Sequence, residues 1–345
     1  MLTDRKLAGM DGESVNIWRL QTGEDPLAAA RRFLGLVWRQ ADLDGMLVLR
    51  YQPGAMSIQP ELIDDPGQLE TADPFVPLVQ VNLASQVEQI ARQHPERRLA
   101  VVLRACEIRA LAEKVHAQAL NLENWLLIGA DCLACFPAQD FDWRVQKAGS
   151  VEHLTRQALR NARQGGIALS RFRLSCQMCS RPEPLQVDIC LGLLGLPVRE
   201  TMLVIPKDQF VSERLNLRQL TDGIADAHLI EQRSRVLAGL NERRQRFRDQ
   251  LAQDLPADLP ANIDQLVAFL TSCQPCQVCY TSCPLYSAVL APLMQNGEVS
   301  RKMVESWLAA CADCGMCEQA CPNDVPLAAI MSRVSRELKH ELVSV

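Results

Sequence analysis

The feature that most constrains this chain lies between residues 273 and 321. Eight cysteines stand there in two runs, Cys273, Cys276, Cys279 and Cys283, then Cys311, Cys314, Cys317 and Cys321. Each run has the spacing x2, x2, x3 and closes on a proline, Pro284 and Pro322. Three thiolates at two-residue intervals lie along one tight turn of backbone and can hold three irons of a cubane, while the fourth cysteine of each run ligates the other cluster. The spacing therefore predicts two [4Fe–4S] clusters. One is assigned to Cys273, Cys276, Cys279 and Cys321, the other to Cys311, Cys314, Cys317 and Cys283. The competing readings are zinc knuckles, which usually use one x2 pair and then a long gap, and a disulfide framework. A zinc-binding structural protein would be colourless.

The segment Leu285–Ala310 between the runs carries Leu285, Val289, Leu290, Leu293, Met294, Met303, Val304, Trp307 and Leu308, mostly at helical spacing and broken by Asn296-Gly297. From Pro322 to Leu342, Val325, Leu327, Ile330, Met331, Val334 and Leu338 mark another amphipathic helix. On these residues the C-terminal part resembles the helical dicluster ferredoxin module found in iron–sulfur subunits of succinate dehydrogenase and of heterodisulfide reductase. Such modules pass electrons, so the rest of the chain must supply a donor or an acceptor.

A chain of 345 residues suggests two to three domains. The net charge of −5 argues against nucleic acid as a partner, because a binder would usually show a basic patch. No run reaches the ~18 apolar residues of a transmembrane segment. Met1–Gln21 has charges throughout and no apolar core, so no signal peptide is expected. Fourteen cysteines without an export signal point to the cytoplasm and to reduced, metal-bound thiols.

In chain order, residues 1–25 read as a polar tail. Pro26–Gln40 reads as a helix, Met46–Tyr51 as a strand and Gln52–Pro77 as a long loop. A helix over Asn82–Gln93, a strand over Leu99–Leu103, a helix over Cys106–Leu120 and a strand over Trp125–Gly129 make a βαβ unit, which favours a parallel sheet covered on both faces. A helix is expected over Val151–Gln164, and strands over Arg171–Leu174, Val187–Leu196 and Thr201–Ile205. Ser212–Leu255 reads as mostly helical, with Arg233, Arg235, Arg243, Arg244, Arg246 and Arg248 as a solvated basic face. Pro256 and Pro260 then break the chain before the cysteine-rich part. The expected fold is α/β, a mostly parallel sheet over 26–235, followed by a helical connector over 236–262 and a mainly α-helical dicluster domain over 263–345.

A second set of cysteines falls at strand ends. Cys106 sits where a strand gives way to a helix, and Gly129-Ala130-Asp131-Cys132 ends the next strand. In open α/β sheets this edge binds ligands, and a helix N-terminus favours thiolates. With the pair Cys176 and Cys179, four thiols could meet and hold a third cluster. Cys135 could replace Cys132, and Cys190 lies in an apolar run and reads as core.

Three stretches now carry a resemblance: Arg104-Ala-Cys-Glu-Ile-Arg-Ala-Leu111, Ile128-Gly-Ala-Asp-Cys132, and Cys176-Gln-Met-Cys-Ser-Arg-Pro-Glu-Pro184 followed by Val187-Asp-Ile-Cys-Leu-Gly192. Over roughly residues 28–210 they resemble the beta subunit family of coenzyme F420-reducing hydrogenase and formate dehydrogenase. The resemblance implies an FAD-binding α/β domain with a [4Fe–4S] cluster near the flavin. Cys106, Cys132, Cys176 and Cys179 would hold that cluster, with Asn82, Arg104, Glu107 and Arg109 near the flavin. It implies a subunit passing electrons between a soluble carrier (F420, a nicotinamide or ferredoxin) and the catalytic subunit of a hetero-oligomeric redox complex. Two features depart from the family. Ala105 stands where a proline is usual, and the dicluster module is C-terminal and helical. No Gly-x-Gly-x-x-Gly is present, so a nicotinamide would not bind through that fingerprint.

Two other functions compete: a flavin-free electron wire, and an iron–sulfur reductase acting on a small sulfur compound at Cys106. The histidines, His94, His116, His153, His228 and His340, are scattered and read as solvated. No catalytic dyad stands out.

Overall fold

Leu99-Ala-Val-Val-Leu103 and Trp125-Leu-Leu-Ile-Gly129 are continuous apolar runs, and such runs suit strands buried on both faces. In the computed structural model, which describes residues 15–52, 57–118, 120–165, 172–273, 276–294 and 298–343 and side chains to residue 338, both lie at the centre of a seven-stranded sheet. The elements run β1 (Trp18–Gln21), α1 (Pro26–Gln40), β2 (Gly45–Tyr51), β3 (Ile58–Ile63), α2 (Ala84–Gln93), β4 (Leu99–Arg104), α3 (Ala105–Gln118), β5 (Trp125–Ala130), α4 (Ala138–Ala148), α5 (Val151–Leu159), α6 (Leu174–Gln177), β6 (Ile189–Gly192) and β7 (Thr201–Pro206). Then come α7 (Gln209–Arg214), α8 (Leu217–Leu220), α9 (Ala227–Asp254), α10 (Ile263–Ser272), α11 (Val278–Thr281), α12 (Arg301–Ala310), α13 (Met316–Gln319) and α14 (Leu327–Val343).

Strand order is β1-β7-β6-β5-β4-β2-β3. The four central strands β6, β5, β4 and β2 pair in parallel, and β3, β7 and β1 join antiparallel at the two sides. The α/β class and the parallel centre agree with the reading of the sequence. Along β4 the side chains alternate between two cores. Ala100 and Val102 face one with Phe33, Leu34 and Leu237, from α1 and α9. Leu99, Val101 and Leu103 face the other.

That second core is continuous with the C-terminal helices. Leu83, Val87 and Leu111 share it with Leu266, Trp307, Ile330 and Val334. Trp307 is 1% exposed and meets Tyr280 edge to face at 5.7 Å, a side chain whose removal from water alone stabilises by about 2–3 kcal/mol. The cysteine-rich helices are thus packed onto one face of the sheet and do not hang from a linker.

Several expectations are corrected. The irregular lead over 1–25 contains β1, paired to β7; residues 1–14 lie outside the described set. The long loop over Gln52–Pro77 contains β3 and a short 3-10 turn, Pro66–Thr71. No strand is seen over Phe172–Leu174; the chain turns there into α6, and Arg171 lies outside the described residues. The apolar run Val187–Leu196 yields only the four residues of β6. Helix α4, not read in the sequence, ends on Gly149 in the left-handed region (φ 91°), and Ser150 then caps α5 by accepting from His153 N. The helix expected over Val151–Gln164 stops at Leu159 and resumes as a 3-10 turn. The helical region Ser212–Leu255 is three helices, and its last, α9, crosses residue 235 without a break. The Asn296-Gly297 break falls outside the described residues.

Candidate metal centre

The C-terminal ends of β4, β5 and β6 fall side by side, with Arg104 opposite Ala130 and Ala130 opposite Leu191. This places Cys106, in the first turn of α3, on the same rim as Asp131 and Cys132. Backbone contacts close the rim. Cys132 N donates to Pro182 O, and Arg173 N donates to Cys135 O, so the segment entering α6 is held under the segment leaving β5. Cys132, Cys135 and Cys176 come together as one hydrogen-bonded trio. The bond from Cys135 and the Arg173 guanidinium hold the Cys176 thiol well below its ordinary range. Its bond with Cys135 lowers Cys132 to about 7. Cys106 is near enough to Cys132 and to Cys314 to respond to both, and burial pushes it up.

Of the four thiols expected here, the structure brings Cys106, Cys132 and Cys176 together and adds Cys135, 1% exposed. Cys179 lies on the outer side of the same loop, its Sγ 3.9 Å from Arg109 Nη2. Cys190 is buried as expected, 3.8 Å from Asp131 Oδ1.

The eight C-terminal cysteines sort into two groups. Cys273, Cys276, Cys279 and Cys321 line one recess with Phe269, Leu270, Val325 and Leu327, about 340 Å³ of empty space including its mouth. Burial and the nearby Cys273 and Cys321 thiols push Cys279 up to about 12. Cys311 and Cys317 line a second recess of about 320 Å³ with Ser175, Asp313 and Gly315. Burial raises Cys317, and Cys311, Cys314 and Cys283 all add to it. Cys283 and Cys311 are raised to about 12 and Cys314 to about 11, burial again being the chief cause. The fourth cysteine of each run thus lies with the three of the other. Gly315 adopts φ +65°, and a Cβ there would collide with Ser175 Oγ, a buried hydroxyl without a partner. Among the described residues, no three His, Cys, Asp or Glu side chains converge on a single ion. A cubane instead takes one thiolate on each of four irons, which spreads its ligands apart.

The second recess and the sheet-edge thiols adjoin. Cys314 packs with Cys135, Cys106 and Cys176. Arg173 Nη2 lies 2.8 Å from Cys314 O and 3.9 Å from Cys176 Sγ. The first recess is farther out, and Cys276 is exposed.

The residues expected near a flavin are largely spent on the protein itself. Arg104 donates to Val76 O at 2.7 Å and pairs with Glu107 at 3.6 Å. Glu107 also accepts from Arg104 N and Leu83 N. Asn82 Oδ1 accepts from Ala84 N, while its Nδ2 has no partner. Arg109 faces Ala312 O and Cys179. Arg104, Glu107 and Arg109 are thus engaged within the protein, while Asn82 Nδ2 is a buried donor left open.

Sequence reasoning missed the arginines of α9. Arg235, Arg243 and Arg246 are solvated as expected. Arg233 instead forms a two-point pair with buried Asp131, at 2.7 and 3.1 Å. Arg244, 2% exposed, donates to Cys179 O, and Arg248 donates to Met178 O. Their spacing on one helix face was the available signal. His116, His153 and His228 are exposed and His94 partly so; the His340 side chain lies outside the described residues.

No family model matches the chain. It is 23% identical over 289 residues to the F420-dependent formate dehydrogenase subunit beta of Methanocaldococcus jannaschii, a match covering 73% of this chain and 74% of that protein. Over 86 residues it is 23% identical to the acetyl-CoA decarbonylase/synthase complex subunit alpha 1 of Methanosarcina mazei, covering 25% of this chain and 10% of that protein. In fold it matches a chain of the F420-reducing [NiFe] hydrogenase complex from Methanosarcina barkeri, with a TM-score of 0.52 at 11% identity, covering 70% of this chain and 92% of that one. By sequence the chain is thus similar to an F420-dependent formate dehydrogenase beta subunit, and it shares the fold of a chain from an F420-reducing hydrogenase complex, in line with the resemblance its motifs carry.

Proposed function

We propose that this chain is an iron–sulfur electron-transfer subunit of a multi-subunit oxidoreductase, holding three [4Fe–4S] clusters in a row. The observation that carries this reading is the sorting of the cysteines. One group of four lines a recess, and in the second group Cys311 and Cys317 line another with Cys283 and Cys314 close by; each group is completed by the fourth cysteine of the other run, and Cys314 packs against a third thiol group at the sheet edge. When bound, cubanes supply one-electron carriage at potentials tuned by the protein around them. The chain's own part is to hold the thiols, exclude water and set the order. Cys106, Cys132, Cys135 and Cys176, with Cys179 beside them, form the innermost site; Cys283, Cys311, Cys314 and Cys317 the middle one; Cys273, Cys276, Cys279 and Cys321 the outermost. The orphan Ser175 hydroxyl lining the middle recess is a donor suited to a cluster sulfide.

The relatives are subunits of redox complexes, one of them F420-dependent by its name. On that ground the partner is a catalytic redox subunit and the other exchange is with a soluble two-electron carrier such as F420 or a nicotinamide, or with ferredoxin. FAD in this chain rests on the family resemblance; of the four residues named above, Asn82 alone offers an open buried donor, and Arg104, Glu107 and Arg109 are engaged within the protein. All fourteen cysteines are free of disulfides, as the reducing cytoplasm would keep them. No helix among the described residues is long and apolar enough to cross a membrane. The test is anaerobic purification with iron, sulfide and flavin counts. Iron and sulfide at cubane ratios are expected, and a colourless, iron-free protein after reconstitution overturns the reading.

A further inference from the structure

Five guanidiniums gather where the innermost and middle thiol groups meet. Arg109, on α3, donates from Nε to Ala312 O at 3.0 Å and from Nη1 to Arg181 O at 3.0 Å, and brings Nη2 to 3.9 Å from Cys179 Sγ. Arg173, before α6, reaches Cys314 O and Gln319 Oε1 at 2.8 Å each and Cys176 Sγ at 3.9 Å. Arg181 and Arg248 hold Asp313 at 3.2 and 3.1 Å. Arg244 holds Cys179 O at 3.0 Å. Three carboxylates face this seam. Asp313 is held by Arg181 and Arg248, Glu318 accepts from Ala328 N at 2.9 Å, and Glu107 pairs with a further guanidinium, Arg104, at 3.6 Å.

We propose that this arginine seam is a redox-tuning device. It clamps the Cys311–Gly315 loop to the Cys176–Cys179 loop and makes the innermost and middle sites better electron acceptors than the outermost one. Reduction adds a negative charge to a thiolate-held cluster. Fixed positive charges and N–H donors beside the sulfurs stabilise that added charge and raise the potential. Among the described residues, no guanidinium lines the recess of the outermost site: besides its four cysteines it is lined by apolar side chains, Gln277 and Asn323. The proposal rests on the reading above, that these thiols hold cubanes.

The experiment is an EPR-monitored redox titration of the full chain with all clusters loaded, on wild type, Arg109→Gln, Arg109→Lys and Arg181→Gln. The expected result is a shift to lower potential in the signals of the innermost and middle sites on Arg109→Gln, recovery on Arg109→Lys, and no movement of the outermost signal. Arg181 is half exposed, so its variant keeps the test usable where Arg109→Gln loses iron; a smaller downward shift is expected there. Unmoved potentials in the variants that retain iron overturn the proposal. So does an equal shift at all three sites, or a shift that Arg109→Lys fails to reverse. A wild type without iron would instead overturn the underlying reading, so the two failures are distinguishable.

Discussion

Cys176 and Cys276 each open a Cys-x2-Cys pair in a short turn and each lies among three other thiols, yet their surroundings differ in burial and charge. Cys176 lies among three other thiols with Arg173 at 3.9 Å, in a seam shared by two parts of the chain. Cys276 is exposed, in a recess whose other walls are aliphatic, aromatic or amide. The same short motif is therefore built once as an interior, charge-stabilised site and once as a surface site. The difference teaches that spacing selects the ligand type, while the long-range fold sets accessibility and charge.

The comparison is broken most directly at the thiols. Cys279→Ala should cost about four irons per chain and leave the signals of the two inner sites in place. Cys314→Ala should also cost about four irons and in addition disturb the innermost site, because Cys314 packs against Cys106, Cys135 and Cys176. Iron assay with EPR checks both, and two variants with identical spectra would erase the distinction.

The next effect concerns the packing that makes the middle site interior. Lys114, fully buried on α3, pairs with Glu88 at 2.6 Å and reaches Ser287 Oγ at 3.2 Å, so it ties the sheet layer to the cysteine helices. Lys114→Met takes the ammonium away from Glu88 Oε2 and leaves that oxygen to Ser287 Oγ, while Arg92 keeps its pair with Oε1 at 3.3 Å. A stability loss of about 2–3 kcal/mol, short of that for a fully uncompensated buried charge, is expected in chemical denaturation. Gly129→Ala should cost somewhat less, about 1–3 kcal/mol, because a Cβ on that β5 residue would stand 2.5 Å from Pro184 Cγ.

A pH dependence is expected at buried Asp73. Burial raises Asp73 from its ordinary 3.8 to about 6, although Thr155 Oγ1 bonds it at 2.6 Å. The folded chain thus holds this proton more tightly than the unfolded one. The Asp73 contribution to stability is fully present below about pH 3.8, falls between there and about 6, and is constant above. The fall amounts to roughly 3 kcal/mol at most. Asp73→Asn removes it, so the variant should gain on wild type across that window in urea midpoints. A constant difference between the two across that pH range would contradict the assignment.

Much of this architecture is legible in sequence, for physical reasons that can be named. Strands β4 and β5 announce themselves because both faces are buried, so every position but the terminal Arg104 is apolar. Strand β3 does not. It is an edge strand whose Gln59 and Glu61 face outward, and Pro60 within the run counts against a strand in any position but an edge. The two C-terminal cysteine groups follow from spacing, whereas the sheet-edge group needs the family motifs. Cys135 joins its group through the fold of the segment leaving β5, where Ala134 takes φ 78°, a turn that no local pattern specifies. The arginines show the limit most plainly. Arg233, Arg244 and Arg248 repeat at eleven and four residues, which marks one helix face. Their partners, Asp131, Cys179 O and Asp313, are 65 to 102 residues away in the chain. Periodicity could group these side chains; only the tertiary contacts distinguish a buried clamp from a solvated stripe.

The central claim is that three thiol groups, one at the sheet edge and two in the C-terminal helices, each hold a cubane. Iron and acid-labile sulfide counts on the anaerobically reconstituted chain, with Mössbauer spectra, test it most directly. About twelve irons per chain, all in [4Fe–4S] form, is the predicted result. About eight would remove the sheet-edge site, and a protein with no iron would contradict the account as a whole.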